Sequence, residues 1–246
     1  MRLNEKVSII TGAASGFGKG ISKKFSEEGA KLILADINKE ELEKVAKDLN
    51  QDFFHVDVAS SNSMKKLSEY VLNKYKSIDI MINNAGITHL PKPMEEVSEQ
   101  EFDKVFSVNS KSVFLCGKFF VPHMKKQKKG SILNISSTAG LSPRPNLNWY
   151  NATKGWMITA TKAMAVELAP FNVRVNSLAP VAGETPLLKS FLGEDTPEMR
   201  AKFLSTIPLG RFSNPDDIGA TAVFLCSDKA SMITGVALEV DGGRCI

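Results

Sequence analysis

Tyr150 and Lys154 stand four residues apart in a stretch of helical periodicity, so on a helix the phenol and the ammonium share a face. A phenol can give a proton to a forming alkoxide or take one from an alcohol, but its ordinary pKa of about 10 makes it a weak base near neutrality. A cation held beside it favours phenolate. Upstream, Ser137 follows an apolar run and offers a hydroxyl that could turn a substrate oxygen toward Tyr150, with Ser136 as the competing candidate. Near the N-terminus, Thr11-Gly12-Ala13-Ala14-Ser15-Gly16-Phe17-Gly18 follows an apolar run and opens a helical one. Glycines there permit positive φ and close backbone approach, and the free N–H groups of a helix start suit a pyrophosphate. A phosphate cradle and an activatable phenol in one chain are the equipment of hydride transfer.

The turn reads G-x-x-x-G-x-G, not the general G-x-G-x-x-G, so by itself it could be a tight structural turn. Asp36 strengthens the cofactor reading. It ends the second apolar run near the spacing at which an acidic side chain bonds the adenosine ribose hydroxyls. A carboxylate there repels the 2′-phosphate of NADP, and no Arg or Lys stands beside Gly16 or directly after Asp36 to compensate. NAD(H) is therefore expected over NADP(H). The competing role for Asp36 is a helix cap, for which Asn38 is at least as well placed. Asp57, at the end of the third run, could accept from the adenine amino group or serve as a turn residue.

The elements that must position these groups alternate in type. Val7–Thr11, Lys31–Ala35, Phe53–Val56, Ile78–Ile82, Ser131–Ile135, Val173–Ser177 and Val236–Val240 read as strands separated by helix-sized segments, the first of them about 18–28. Strands joined by crossover helices make a parallel sheet covered on both faces. The expected fold is thus an α/β single domain over 1–246, a Rossmann-like, doubly wound parallel sheet. The stretch 183–210 breaks the rhythm with Pro186, Gly193, Pro197 and Pro208 among apolar residues, and reads as a substrate lid. Asn214-Pro215-Asp216-Asp217 restarts a helix. The Lys125, Lys126, Lys128, Lys129 run reads as a solvated helix end stopped by Gly130.

Composition narrows the class. With 246 residues and 43% hydrophobic content the chain can bury a sizeable core, and a net charge of +4 spread along it does not suggest a nucleic-acid binder. Cys116, Cys226 and Cys245 are odd in number and far apart, which suggests neither a disulfide framework nor a metal site and fits a cytoplasmic setting. No apolar stretch reaches membrane-spanning length. His55 and His123 read as structural.

Taken in order, Thr11-Gly12-x-x-x-Gly16-x-Gly18, Asn83-Asn84-Ala85-Gly86, Asn109, Ser137, Tyr150-x-x-x-Lys154, Pro180 and Asp241-Gly242-Gly243 resemble the classical short-chain dehydrogenase/reductase family over essentially the whole chain. The resemblance implies a sheet of seven strands, a nicotinamide cofactor and a tetrad of Asn109, Ser137, Tyr150 and Lys154. In it Tyr150 is the acid/base, Ser137 holds the substrate oxygen, Lys154 also bonds the nicotinamide ribose, and Asn109 anchors a proton-relaying water. The implied cofactor contacts are Gly12, Ser15, Gly16, Phe17 and Gly18 from the turn, Asp36 with Ile37, and Asp57 with Val58. They continue through Asn84, Ala85 and Gly86 to Pro180, Gly183 and Thr185. The family usually has Gly after the proline, whereas this chain has Val181 and defers glycine to Gly183, which leaves the path of 181–185 open. On the substrate side His89, Arg144, Asn148 and Leu188 are candidates, Arg144 as a partner for an anion. The expected activity is interconversion of a small-molecule secondary alcohol and a ketone by a homotetramer. Its rival is an NADPH-dependent 3-oxoacyl-(acyl-carrier-protein) reductase, and a more distant one a non-catalytic nucleotide sensor or scaffold.

Overall fold

The computed structural model describes all 246 residues. The strands are β1 (Val7–Thr11), β2 (Lys31–Asp36), β3 (Asp52–His55), β4 (Ile80–Asn83), β5 (Gly130–Ile135), β6 (Val173–Pro180) and β7 (Ala237–Val240). They form one 7-stranded parallel sheet in the order β3-β2-β1-β4-β5-β6-β7. The chain runs outward from β1 to β3 and then returns to the other side of β1. That reversal opens a crevice at the carboxyl ends of β1 and β4, where doubly wound sheets bind ligands.

Successive side chains of the central strands enter different cores, as the period of two demands. Ile10, Leu32, Leu34, Ile80, Ile82 and Leu133 join one core with Ile21 and Phe25 of α1 (Gly16–Glu27), Leu42 of α2 (Lys39–Leu49) and Ile218 of α9 (Pro215–Cys226). Ile9, Ile33, Met81, Ile132 and Val175 join the other, with Met64 and Leu67 of α3 (Ser61–Tyr75), Phe120 of α5 (Ser112–Gln127) and Leu168 of α6 (Asn148–Leu168). Each fully buried aliphatic side chain contributes roughly 1.5–3 kcal/mol of transfer free energy.

Several boundaries differ from the expectation. α1 starts at Gly16, two residues early, and β6 runs on to Pro180 because β7 pairs with its last residues. Lys128, not Gly130, ends α5: it adopts the left-handed conformation at φ 52, and Gly130 already belongs to β5. A Cβ on Gly130 would stand 2.8 Å from the Met124 sulfur, which accounts for glycine at that position. Between α4 (Glu99–Phe106) and α5, residues Ser107–Lys111 form a π-helical segment, a local widening that carries Asn109. The insertion is two short helices, α7 (Leu187–Leu192) and α8 (Pro197–Leu204), with a small core of Val181, Leu188, Leu192, Phe203, Ile207 and Phe212. α9 opens with Pro215 after a reciprocal cap, Asn214 accepting from the Asp217 N–H and Asp217 from the Asn214 N–H. No helix is long and apolar enough to cross a membrane.

Candidate active site

A cleft of about 500 Å³ opens at the reversal point, from Asp36 and Ile37 past the glycine turn to Tyr150 and Lys154. Gly12 and Gly16 hold φ of +67° and +52°, and a Cβ on Gly12 would meet Ala85 Cα at 2.9 Å. The turn is tied to the end of β4. Thr11 Oγ1 donates to the Ile82 carbonyl at 3.1 Å and accepts from the Asn84 and Ala85 N–H groups, while Asn84 Nδ2 donates to the Thr11 and Gly12 carbonyls at 2.9 and 3.1 Å. Asn84 thus braces the cradle as well as lining it. Gly18, expected to face a cofactor, does not line the cleft; its missing Cβ would stand 2.0 Å from the Gly12 carbonyl oxygen, so it lets the turn close on itself.

The cradle fits a dinucleotide. Ser15, the residue before α1, makes no side-chain cap bond, so its hydroxyl leaves the first-turn N–H groups of α1 to a phosphate. Asp36 is not a helix cap: Asn38 takes that place, accepting from the Glu41 N–H at 3.2 Å. Asp36 instead accepts from the Ala14 and Asn38 N–H groups at 3.0 and 2.9 Å, which aims its carboxylate at the cleft beside Ile37. Asp57 accepts from the Ala59 N–H at 2.9 Å and lines the same end with Val58. His55, read as structural, contacts the Ile37 carbonyl through Nε2 at 3.0 Å and ties the end of β3 to this wall.

At the other end, Tyr150, Lys154 and Ser137 come together. Burial pushes the Tyr150 phenol up to about 12, the Ser137 hydroxyl pulling the other way, and it lowers the Lys154 ammonium to about 8. Desolvation is the largest effect on both groups. Lys154 Nζ donates to the Ile135 carbonyl at 2.8 Å and lies 5.8 Å from the Tyr150 ring centre. Ser136 donates to the Lys154 carbonyl at 2.9 Å and so faces α6, whereas Ser137 accepts from the Ala139 N–H and faces Tyr150. The short turn carrying Ser137 presses on α6 at Gly140, where a Cβ would stand 2.7 Å from the Lys154 backbone.

Asn109 does not line the cleft, and both ends of its amide are bonded. It accepts from the Ile87 N–H at 2.9 Å and donates to the Ile87 carbonyl and to Thr153 Oγ1 at 2.9 and 3.0 Å. These bonds fix the segment after Gly86 against α6 and leave one lone pair of Oδ1 free.

The open path of 181–185 resolves into a continuation of the sheet. The Val181 N–H donates to the Val240 carbonyl, Gly183 bridges Ser213, and the Thr185 N–H donates to the Gly183 carbonyl at 2.7 Å. Glycine sits at 183 because a Cβ there would stand 2.4 Å from the Phe17 ring. Pro180, Gly183, Thr185 and Leu188 all line the cleft. Three substrate-side candidates do not. Asn148 is exposed at the start of α6, His89 is buried with Nδ1 on the Leu90 carbonyl at 2.8 Å, and Arg144 lies behind the Phe191 ring. Ile87, Lys104, Val108 and Phe191 line the cleft without having been singled out. Only Phe191, within the apolar insertion, carried a sequence signal; it meets the Tyr150 ring edge-on at 5.2 Å.

Comparison with known proteins agrees with this geometry. A family profile described as Enoyl-(Acyl carrier protein) reductase matches residues 12–244. The 4-formylbenzenesulfonate dehydrogenase of Comamonas testosteroni is 43% identical over 252 residues, 100% of both chains. A 3-oxoacyl-(acyl-carrier-protein) reductase of Thermotoga maritima is 41% identical, again over 100% of both. A solved 3-ketoacyl-(acyl-carrier-protein) reductase from Brucella melitensis, complexed with NADH, superposes with a TM-score of 0.94 at 46% identity, covering 99% of each chain.

Proposed function

The chain belongs to the classical short-chain dehydrogenase/reductase family, and on that premise we propose that it is an NAD(H)-dependent oxidoreductase interconverting a secondary alcohol and a ketone on a small molecule. The observation that carries this reading is one cleft with the Asp36 carboxylate at one end and Tyr150, Ser137 and Lys154 at the other. A bound nicotinamide dinucleotide supplies or accepts the hydride. The residues that would hold it are the glycine turn and the start of α1 at the pyrophosphate, Asp36 and Ile37 at the adenosine ribose, Asp57 and Val58 at the adenine, and Thr185 at the carboxamide.

The protein's own part is proton chemistry. Ser137 orients the substrate oxygen, and Tyr150 gives it a proton on reduction. A phenol at about 12 is still a far stronger acid than an alcohol, so the transfer to a forming alkoxide runs downhill. In the oxidising direction the phenol must first lose its proton, and the Lys154 cation on the same helix face stabilises the resulting phenolate. Lys154 at about 8 exchanges its own proton near neutrality and can return protons to Tyr150 between turnovers. Apolar side chains of α7, Leu188 and Phe191, keep water from the reacting carbon and act as part of a lid.

The names of the Thermotoga and Brucella relatives support a second reading, reduction of acyl-carrier thioesters with NADPH. Asp36 argues against it by like-charge repulsion of a 2′-phosphate. Assembly as a homotetramer is supported by apolar side chains left exposed on α5 and α6, namely Phe114, Trp156 and Val166. Calorimetry with NADH and NADPH, then turnover on a panel of ketones with Tyr150→Phe as control, tests the reading. NADH binding at least about tenfold tighter and Tyr150-dependent turnover are expected. An NADPH preference would transfer the assignment to the acyl-carrier reductase, and turnover surviving in Tyr150→Phe would remove the mechanism.

A further inference from the structure

Six arginines occur in the chain, and four are satisfied within it. Arg2, Arg200 and Arg211 pair with Glu28, with Asp195 and Glu184, and with Asp217. Arg174 donates to the Ile233 and Ser227 carbonyls at 3.1 and 3.2 Å. Arg144 and Arg244 have no carboxylate partner. Arg244 reaches only the Thr206 hydroxyl, and Arg144 makes no side-chain hydrogen bond, its Nη1 being closed off from solvent.

Both of these cations lie against one ring. The Arg144 guanidinium lies 4.6 Å and the Arg244 guanidinium 4.9 Å from the centre of Phe203. Arg144 also lies 5.3 Å from the centre of Phe191, and Phe191 in turn meets Tyr150. The arginine is fixed in place. Prolines 143 and 145 restrict its backbone on both sides, and its carbonyl accepts from Asn151 Nδ2 at 2.7 Å, the side chain next to Tyr150 on α6. Two like charges on one ring without a counter-charge, one of them partly desolvated, cost stability unless an anion joins them. Burial and the neighbouring Arg244 both lower the Arg144 pKa, as expected of an uncompensated pair.

We infer that Arg144, with Arg244 against the same Phe203 ring, receives a carboxylate-type oxyanion on the substrate once the Phe191 ring, which lines the cleft and covers Arg144, turns aside, so that the natural substrate is a keto acid or hydroxy acid. The inference rests on the oxidoreductase reading for its reacting carbon, but the anion site is a property of the arginines and does not require turnover. A guanidinium fork and a carboxylate make two parallel charge-assisted bonds, and the Phe191 and Phe203 rings beside Arg144 limit the water that would weaken them.

The test compares each keto acid with its methyl ester, which keeps the size and removes the charge: 4-oxopentanoate, 5-oxohexanoate and 4-acetylbenzoate. Calorimetric binding to the protein with NAD(H) present, and kcat/KM for the same pairs, are measured for the wild type, Arg144→Met, Arg144→Lys and Arg244→Met. At least one acid is expected to bind and react about tenfold or more better than its ester, the value of a charge-assisted pair. That ratio is expected to fall toward one in Arg144→Met, to recover in part in Arg144→Lys, and to fall less in Arg244→Met. Because Arg244 is partly exposed, its variant reports even where Arg144→Met fails to fold. Acid binding that depends on Arg144 without turnover of any ketone would retain the anion site and overturn the oxidoreductase reading. Tyr150-dependent turnover with acid-to-ester ratios near one, or ratios unchanged in the arginine variants, would overturn the anion site and leave the oxidoreductase reading standing.

Discussion

Lys154 is an ammonium that the fold has buried, and replacing it with methionine turns that burial into a measurable pH dependence. Its pKa falls from 10.5 to about 8 because burial penalises the charged form. At 1.36 kcal/mol per pH unit that difference corresponds to about 3 kcal/mol. Below pH 8 the folded protein carries the full penalty of the buried charge. Between 8 and 10.5 the unfolded chain holds the proton while the folded one has released it, so folding stability rises with pH. Lys154→Met removes this dependence. It also leaves the Ile135 carbonyl without its donor, an offset that does not vary with pH. The assay is urea denaturation of both proteins from pH 7 to pH 10. The stability of the wild type relative to Lys154→Met should climb by about 2–3 kcal/mol over that range, the titration of other lysines and tyrosines cancelling in the difference. A difference that stays flat, or falls as pH rises, would show that the Lys154 charge is not desolvated and would refute the reasoning about the tyrosine and lysine together.

Gly183→Ala should cost about 1–3 kcal/mol in urea denaturation by forcing a methyl against Phe17, and Phe17→Leu in the same chain should recover most of the loss; an unchanged midpoint for the single variant would mean that the ring yields freely. Asp36→Ser removes the charge that repels a 2′-phosphate, so the ratio of NADPH to NADH dissociation constants should shift toward NADPH by about tenfold or more in calorimetry. An unchanged ratio would place cofactor discrimination elsewhere. Asn214→Ala deletes one half of the reciprocal cap of α9 and should lower stability by about 1 kcal/mol, read as a drop of about 2–4 °C in Tm, with catalysis unaffected.

Local chemistry made much of this protein legible from its residues alone. The short, near-continuous apolar runs marked which segments become buried parallel strands, and the i+4 spacing put Tyr150 and Lys154 on one helix face whatever the tertiary context. Asn214-Pro215 announced α9 because cap and fixed φ are local properties. Residues whose meaning depends on a distant neighbour were not legible. Gly183 is explained by the ring of Phe17, Gly130 by the side chain of Met124, and Gly18 by the carbonyl of Gly12, none of which sequence spacing reveals. Asn109 could be named, but only the π-helical segment shows its amide turned onto Ile87 and Thr153. Arg144 could be named as a possible anion partner, but only packing showed that no carboxylate of its own reaches it. The same division applies to the proton chemistry. Residue types decide which groups can titrate, whereas the free energy of taking a charge out of water depends on every atom packed around it, and only the folded chain brings those atoms together.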